Sequence, residues 1–379
     1  MEQIRGAEFI RRPLPVLVTG AQTRREAFAE LDRLSTPAQR AADEELLKLL
    51  GLIPPQSNMR DIQSQIYQDQ VAGFYDPRTK RLALVRDAAG QGVSVGEITL
   101  AHELTHALDD QVYGIRDQPA GVGDANSAYT ALVEGDATSV MTRYAQRYMS
   151  GLDLVSILAS ATSESTASLP PYIEATLLFP YVEGQQFVDA LVRYARGWKL
   201  VNSAFKTRPP LSTQQILHPL DYVRNLKPKP PRLQVRPLLG PAWRRVDAGD
   251  LGEFDTRQLL LHGTLPPRAA QIAAAWRGGT FELWRNAPLP SPTCAAPCRP
   301  HDSLVLAWRT DTARDATTLG TAVGTFVTDS LGGRSRGTGG WTLPNSAAAV
   351  RTNGTSAVMA LAPTAAMADS LATAAVRSG

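Results

Sequence analysis

A chain of 379 residues is long enough for roughly two to three domains at about 150 residues each. With 43% hydrophobic residues, 20% charged residues and a formal net charge of +3, it has the composition of a folded globular protein. The near balance of charge gives no support to binding of nucleic acid or a polybasic membrane contact. No run of about 18 apolar residues occurs, which excludes a transmembrane helix. Met1-Glu2-Gln3-Ile4-Arg5-Gly6 lacks the apolar core of a signal peptide, so the chain reads as cytosolic or as one whose leader is absent.

In chain order, Val16-Leu17-Val18 is a candidate strand, and helical spacing covers about 24–34 and 37–50, with Pro37 at a start and Gly51 as a stop. Residues 71–75 and 81–86 form two strand-like runs around the turn Asp76-Pro77-Arg78-Thr79-Lys80, which predicts a β-hairpin. Ser94 followed by Glu97 is a capping-box pattern that opens a helix to about Val112. Asp124 or Asn126 caps a second helix to about Met149, and 156–168 is a Ser/Thr/Ala-rich loop or helix end. Helices resume over 172–179 and 185–196, and Ser212-Thr213-Gln214-Gln215 is a second capping-box pattern, cut off by Pro219.

Lys227-Pro228-Lys229-Pro230-Pro231 reads as a semi-rigid linker. It divides the chain into a first domain, 1–226, a linker, 227–237, and a second domain, 238–379. The second domain shows a helix over 256–276, strands over 280–284 and 303–308, and a helix over 313–331. A hairpin follows around Asn353-Gly354, and a last helix follows Pro363. These elements fit a small α+β domain of ferredoxin-like type, and it carries no catalytic motif.

The chemistry lies in His102-Glu103-Leu104-Thr105-His106. Residues four apart lie one turn apart on one helix face, so both imidazoles can meet one ion, and Glu103 can reach a water on that ion without ligating it. The motif arises by chance about 0.003 times in such a chain. Ile98, Leu100, Ala101, Leu104, Ala107 and Leu108 make the helix apolar nearly all round, and buried paired histidines without a ligand are costly. Two imidazoles and a carboxylate suit Zn2+. The carboxylate is expected from Ala131-Leu132-Val133-Glu134-Gly135-Asp136-Ala137-Thr138, where Glu134 follows an apolar run. Asp136 is the rival, about 200° around the helix, and reads as solvent-facing or as orienting a histidine.

These residues resemble the gluzincins, the thermolysin-like clan of zinc peptidases. The blocks Val71-Ala72-Gly73-Phe74-Tyr75-Asp76-Pro77, Ala101 to Leu108, Ala131 to Ala137 and Pro209 to Pro219 resemble an uncharacterised bacterial family of putative neutral zinc metallopeptidases, over most of the first 225 residues. The resemblance implies a zincin-like domain with His102, His106 and Glu134 as zinc ligands and Glu103 as general base. It also implies a peptide or protein substrate and export, since such proteins carry leaders. Gluzincins often place Asp four residues after the ligand Glu. Here that residue is Thr138, which leaves Asp110 as the candidate partner for a histidine.

An oxyanion donor is expected opposite the zinc. His218 is the first candidate, against a packing role; Tyr172 and Tyr181 are unranked. His262 and His301 fall in the second domain as structural or solvated residues, and Cys294 and Cys298 can form a local disulfide in an exported protein. The hairpin at 71–86 offers an edge for extended substrate, or merely covers the core. The alternative to a zinc metallopeptidase is a non-catalytic, zinc-stabilised binding protein of the cell envelope; an intact Glu103 argues against it.

Overall fold

The computed structural model describes residues 1–69, 73–85, 93–116, 123–153, 169–286 and 294–378. It is an α+β protein with two sheets. The N-terminal half contains α1 (Glu2–Arg5), β1 (Val16–Val18), α2 (Gly20–Leu34), α3 (Pro37–Leu49), α4 (Met59–Asp69), β2 (Gly73–Asp76) and β3 (Arg81–Val85). The helices α5 (Val93–Tyr113), α6 (Asp124–Tyr148), α7 (Pro171–Ala195), α8 (Lys199–Lys206), α9 (Thr213–Leu217) and α10 (Pro219–Val223) follow. Helix α2 starts four residues before the predicted point because Thr19 and Gln22 form a full capping box.

The hairpin β2–β3 forms, and Asp76 folds its turn by accepting Arg78 N at 2.9 Å. Strand β1 adds parallel to β3, leaving β2 as an edge in the order β1-β3-β2. Residues 71, 72 and 86 of the expected hairpin, and 156–168, lie outside the described residues. Ser94 is inside α5 rather than capping it. Helix α7 runs continuously through Pro180, where two helices were expected. The proline forgoes one backbone hydrogen bond, but the helix buries Phe179, Phe187, Val188 and Leu191 in the core shared with α6.

The C-terminal region carries β4 (Arg244–Asp250), α11 (Glu253–Leu261), α12 (Pro266–Ala273), β5 (Trp276–Arg285), β6 (Asp302–Thr310), α13 (Ala313–Asp329), β7 (Arg334–Gly337), β8 (Gly340–Leu343), β9 (Ser346–Asn353), β10 (Ser356–Ala362) and α14 (Ala365–Ser378). Its antiparallel sheet has the order β4-β5-β6-β10-β9-β8-β7. The ferredoxin-like expectation is corrected here, because helices cover both faces of a longer sheet. Leu319, Val323 and Phe326 of α13 pack with Phe281 and Leu306 on one face; Ala368, Leu371 and Ala375 of α14 pack with Val305 and Val358 on the other. Every residue of β10 is therefore buried, which a one-sided sheet does not allow.

Leu46, Leu49, Ile53 and Ile62 of the N-terminal half join the α13-side core. Glu45 of α3 forms a buried ion pair with Arg285 of β5 at 2.9 Å. The proline-rich run is not a free spacer. Lys229 N donates to Arg277 O at 2.6 Å, and a Cβ on Gly278 would stand 2.4 Å from the Lys229 carbonyl carbon. Val235, Leu239 and Trp243 then enter the α14-side core.

Candidate metal centre

His102 and His106 stand on α5 with their Nε2 atoms 3.0 Å apart. Glu134 Oε2, from α6, lies 3.1 Å from His102 Nε2 and 3.4 Å from His106 Nε2. Ligands about 2.0–2.1 Å from a tetrahedral zinc are separated by roughly 3.3 Å, so the triangle has the dimensions of one face of such a site. Among the described residues, these three form the one group of His, Cys, Asp and Glu side chains that converges in this way.

Helix α6 is brought to this position by contact with α7 at paired glycines. A Cβ on Gly135 would lie 2.2 Å from the Gly184 carbonyl carbon, and one on Gly184 would lie 2.1 Å from Ala131 O. The residue that follows the carboxylate ligand candidate must therefore be glycine for the helices to touch. The same crossing carries Tyr181, one turn before Gly184, to a ring-centroid distance of 6.1 Å from His102.

Burial opposes charge on both His106 and Glu134, yet their attraction prevails. Glu134 lifts His106 to about 9, while His106 and His102 hold the Glu134 carboxyl well below the usual range. Glu103 is buried beside the triangle and is not part of it. Burial pushes its carboxyl up, against the nearby histidines, and it accepts the backbone N–H of Tyr75 on β2. A carboxylate raised in this way is a better proton acceptor than an exposed one.

Several expected roles change. Asp110 does not orient His106. It accepts Tyr75 OH at 2.8 Å, Lys80 Nζ at 2.7 Å and Ile115 N at 3.1 Å, tying β2 and the following loop to α5. His106 Nδ1 and Thr138 Oγ1 are buried without a hydrogen-bond partner. Asp136 neither faces solvent nor orients a histidine; it is fully buried against Arg5 Nε at 2.6 Å. Sequence reasoning missed Arg5 entirely, since a lone arginine near the start of a chain gives no signal.

His218 is placed away from the triangle. Its Nε2 lies 2.8 Å from Glu253 Oε1, beside a buried contact in which Thr213 N and Oγ1 donate to Asp124 Oδ1. Asp124 begins α6, ten residues and about 15 Å of helix before Glu134. The Ser212 capping box also fails to close, because Gln215 spends its side chain on Leu211 N and Leu226 O. Tyr172 OH donates to Asp255, leaving Tyr181 as the tyrosine of the two whose ring lies near His102.

In the C-terminal region, His262 packs near Phe326 and His301 Nδ1 lies 2.7 Å from Asn286 Oδ1. Cys294 and Cys298 are disulfide-bonded, and Cys298 N donates to Glu45.

Residues 239–372 match the family model described as Domain of unknown function (DUF8575), a stretch that begins before β4 and ends inside α14, away from the triangle. No curated protein and no solved structure matches the chain.

Proposed function

We propose that the protein is a zinc-dependent hydrolase of peptide bonds. The observation that carries the reading is the convergence of His102 Nε2, His106 Nε2 and Glu134 Oε2 to within 3.0–3.4 Å of one another, with the buried Glu103 carboxylate beside them. The N, N, O donor set suits zinc, and three protein ligands leave one position open for chemistry. Zinc bound there would polarise a carbonyl and lower the pKa of a coordinated water to about 7.

Glu103 takes the proton from the attacking water and delivers it to the leaving amine nitrogen. Tyr75 N–H holds one end of that carboxylate, so the base is aimed by the edge strand as well as by its own helix. Tyr181, whose ring centroid lies 6.1 Å from that of His102, is our candidate donor to the developing oxyanion in place of His218. A bound zinc with no catalysis has no use for a buried carboxylate with raised proton affinity next to it, which weighs against a pure binding module.

The test is metal analysis and hydrolysis of an unstructured peptide by wild type and Glu103→Gln. The expected result is about one zinc per chain in both and a loss of turnover of roughly 100- to 10,000-fold in the variant. Absence of stoichiometric zinc, or unchanged turnover in Glu103→Gln, overturns the reading.

A further inference from the structure

The ligand triangle stands on two helices, and the contacts that fix those helices lie directly beneath it. Asp109 follows His106 by three positions on α5, and Asp136 follows Glu134 by two on α6. Both carboxylates are buried, and between them sits the side chain of Arg5, itself 0% exposed. Arg5 Nε lies 2.6 Å from Asp136 Oδ2 and 3.1 Å from Asp109 Oδ1, and Nη1 donates to Asn202 Oδ1 of α8 at 2.8 Å.

The guanidinium is stacked over the rings of Trp198 at 4.6 Å and Tyr113 at 4.9 Å. Helix α1, which carries it, is pinned by Trp198 Nε1 donating to Ile4 O at 3.0 Å. A planar guanidinium with five donors can serve acceptors on α5, α6 and α8 together, whereas a compact ammonium cannot span them in the same geometry. Without the guanidinium, the buried carboxyl groups of Asp109 on α5 and Asp136 on α6 lose the cation that both contact, and with it a link between the two helices.

We propose that Arg5 is a positioning residue of the metal centre. It sets the spacing of α5 and α6, and with it the reach of Glu134 to the two histidines, while making no contact with the ion. The inference rests on the zinc reading of the triangle.

Zinc affinity, by competition with a chelator, and the visible spectrum of the cobalt(II)-loaded protein are measured for wild type, Arg5→Lys and Arg5→Met, with thermal melting of the same samples in excess chelator. The expected result is that Arg5→Met is folded at low temperature and binds zinc roughly 10- to 100-fold more weakly, the range for partners that orient ligands without touching the metal. Its cobalt spectrum changes, and Arg5→Lys recovers only part of both properties.

A folded variant of either kind with wild-type affinity and spectrum overturns the proposal. So does loss of zinc only in step with loss of fold, including failure of both variants to fold, which makes Arg5 a structural residue alone. Wild-type protein that takes up neither zinc nor cobalt overturns the reading of the triangle, and this proposal with it. That failure is distinguishable because it appears before any substitution is made.

Discussion

Replacing Gly135 by Ala adds a single methyl group at the crossing of α6 and α7. Its Cβ would stand 2.2 Å from the Gly184 carbonyl carbon and 2.3 Å from its oxygen. Non-bonded carbons rest at about 3.5–4.0 Å, so the helices have to part by more than 1 Å at the residue next to Glu134. Overpacking of this kind costs about 1–3 kcal/mol, and backbone on both sides leaves no flexible side chain to give way, which favours the upper part of that range. With an unfolding entropy of about 2.1 cal/mol/K per residue over 379 residues, each kcal/mol is worth about 1.3 °C, so Tm falls by roughly 2–4 °C. A shift of about 1 Å also carries Glu134 Oε2 away from nitrogens now 3.1 and 3.4 Å distant, so zinc affinity falls as well.

Gly96→Ala is the matched control. It lies in α5, where an added Cβ meets nothing within 4 Å, so the same substitution raises stability by about 0.5–1 kcal/mol through helix propensity. Calorimetry and zinc titration of the two variants read both effects. Wild-type Tm and zinc affinity in Gly135→Ala would refute the argument from backbone contact.

His218→Ala leaves Glu253 buried with both carboxylate oxygens unpartnered and lowers stability by about 1–3 kcal/mol, while turnover at low temperature is kept; a loss of turnover without a change in Tm contradicts the placement of His218. Tyr181→Phe lowers turnover by roughly 100- to 1,000-fold with zinc content unchanged, and equal turnover removes Tyr181 from the mechanism. Burial raises Asp124 to about 7, above its unfolded value of about 3.9, so the folded state holds more protons between those values and stability falls as pH rises through that window, by up to about 1.4 kcal/mol per pH unit. Asp124→Asn removes that slope between pH 5 and 7, and identical Tm profiles for the two proteins would count against it.

The elements that announced themselves in the sequence were those with local chemistry at their ends. Pro37 and Gly51 bracket α3, and the turn beginning at Asp76 joins β2 to β3. The hairpin of β9 and β10 was legible, but its register was not. The loop is Gly354-Thr355, because Asn353 pairs with Ser356. Asn-Gly favours a loop one residue earlier, and alternation does not correct it, since helices bury both faces of β10 and leave no polar face to count from. Strand β7, Arg334–Gly337, was missed for the opposite reason: it is exposed throughout and carries no apolar residue.

The candidate site divides along the same line. His102, Glu103 and His106 were legible because helical periodicity alone brings them together, and Glu134 because a carboxylate after an apolar run needs a partner. What holds those residues in place depends on contacts between distant segments. Asp136 reads as facing solvent or orienting a histidine because its partner, Arg5, lies 131 positions earlier. The tight contact of Gly135 gives no signal because Gly184 belongs to another helix, and His218 reads as an oxyanion donor because the buried Glu253 that claims it is 35 residues away. Each misreading has one physical origin. A polar or glycine residue in an apolar stretch marks a special contact, and the identity of that contact is fixed by helix packing rather than by neighbouring residues. The spacing of α5 and α6 therefore decides whether a motif visible in five consecutive residues becomes a metal centre.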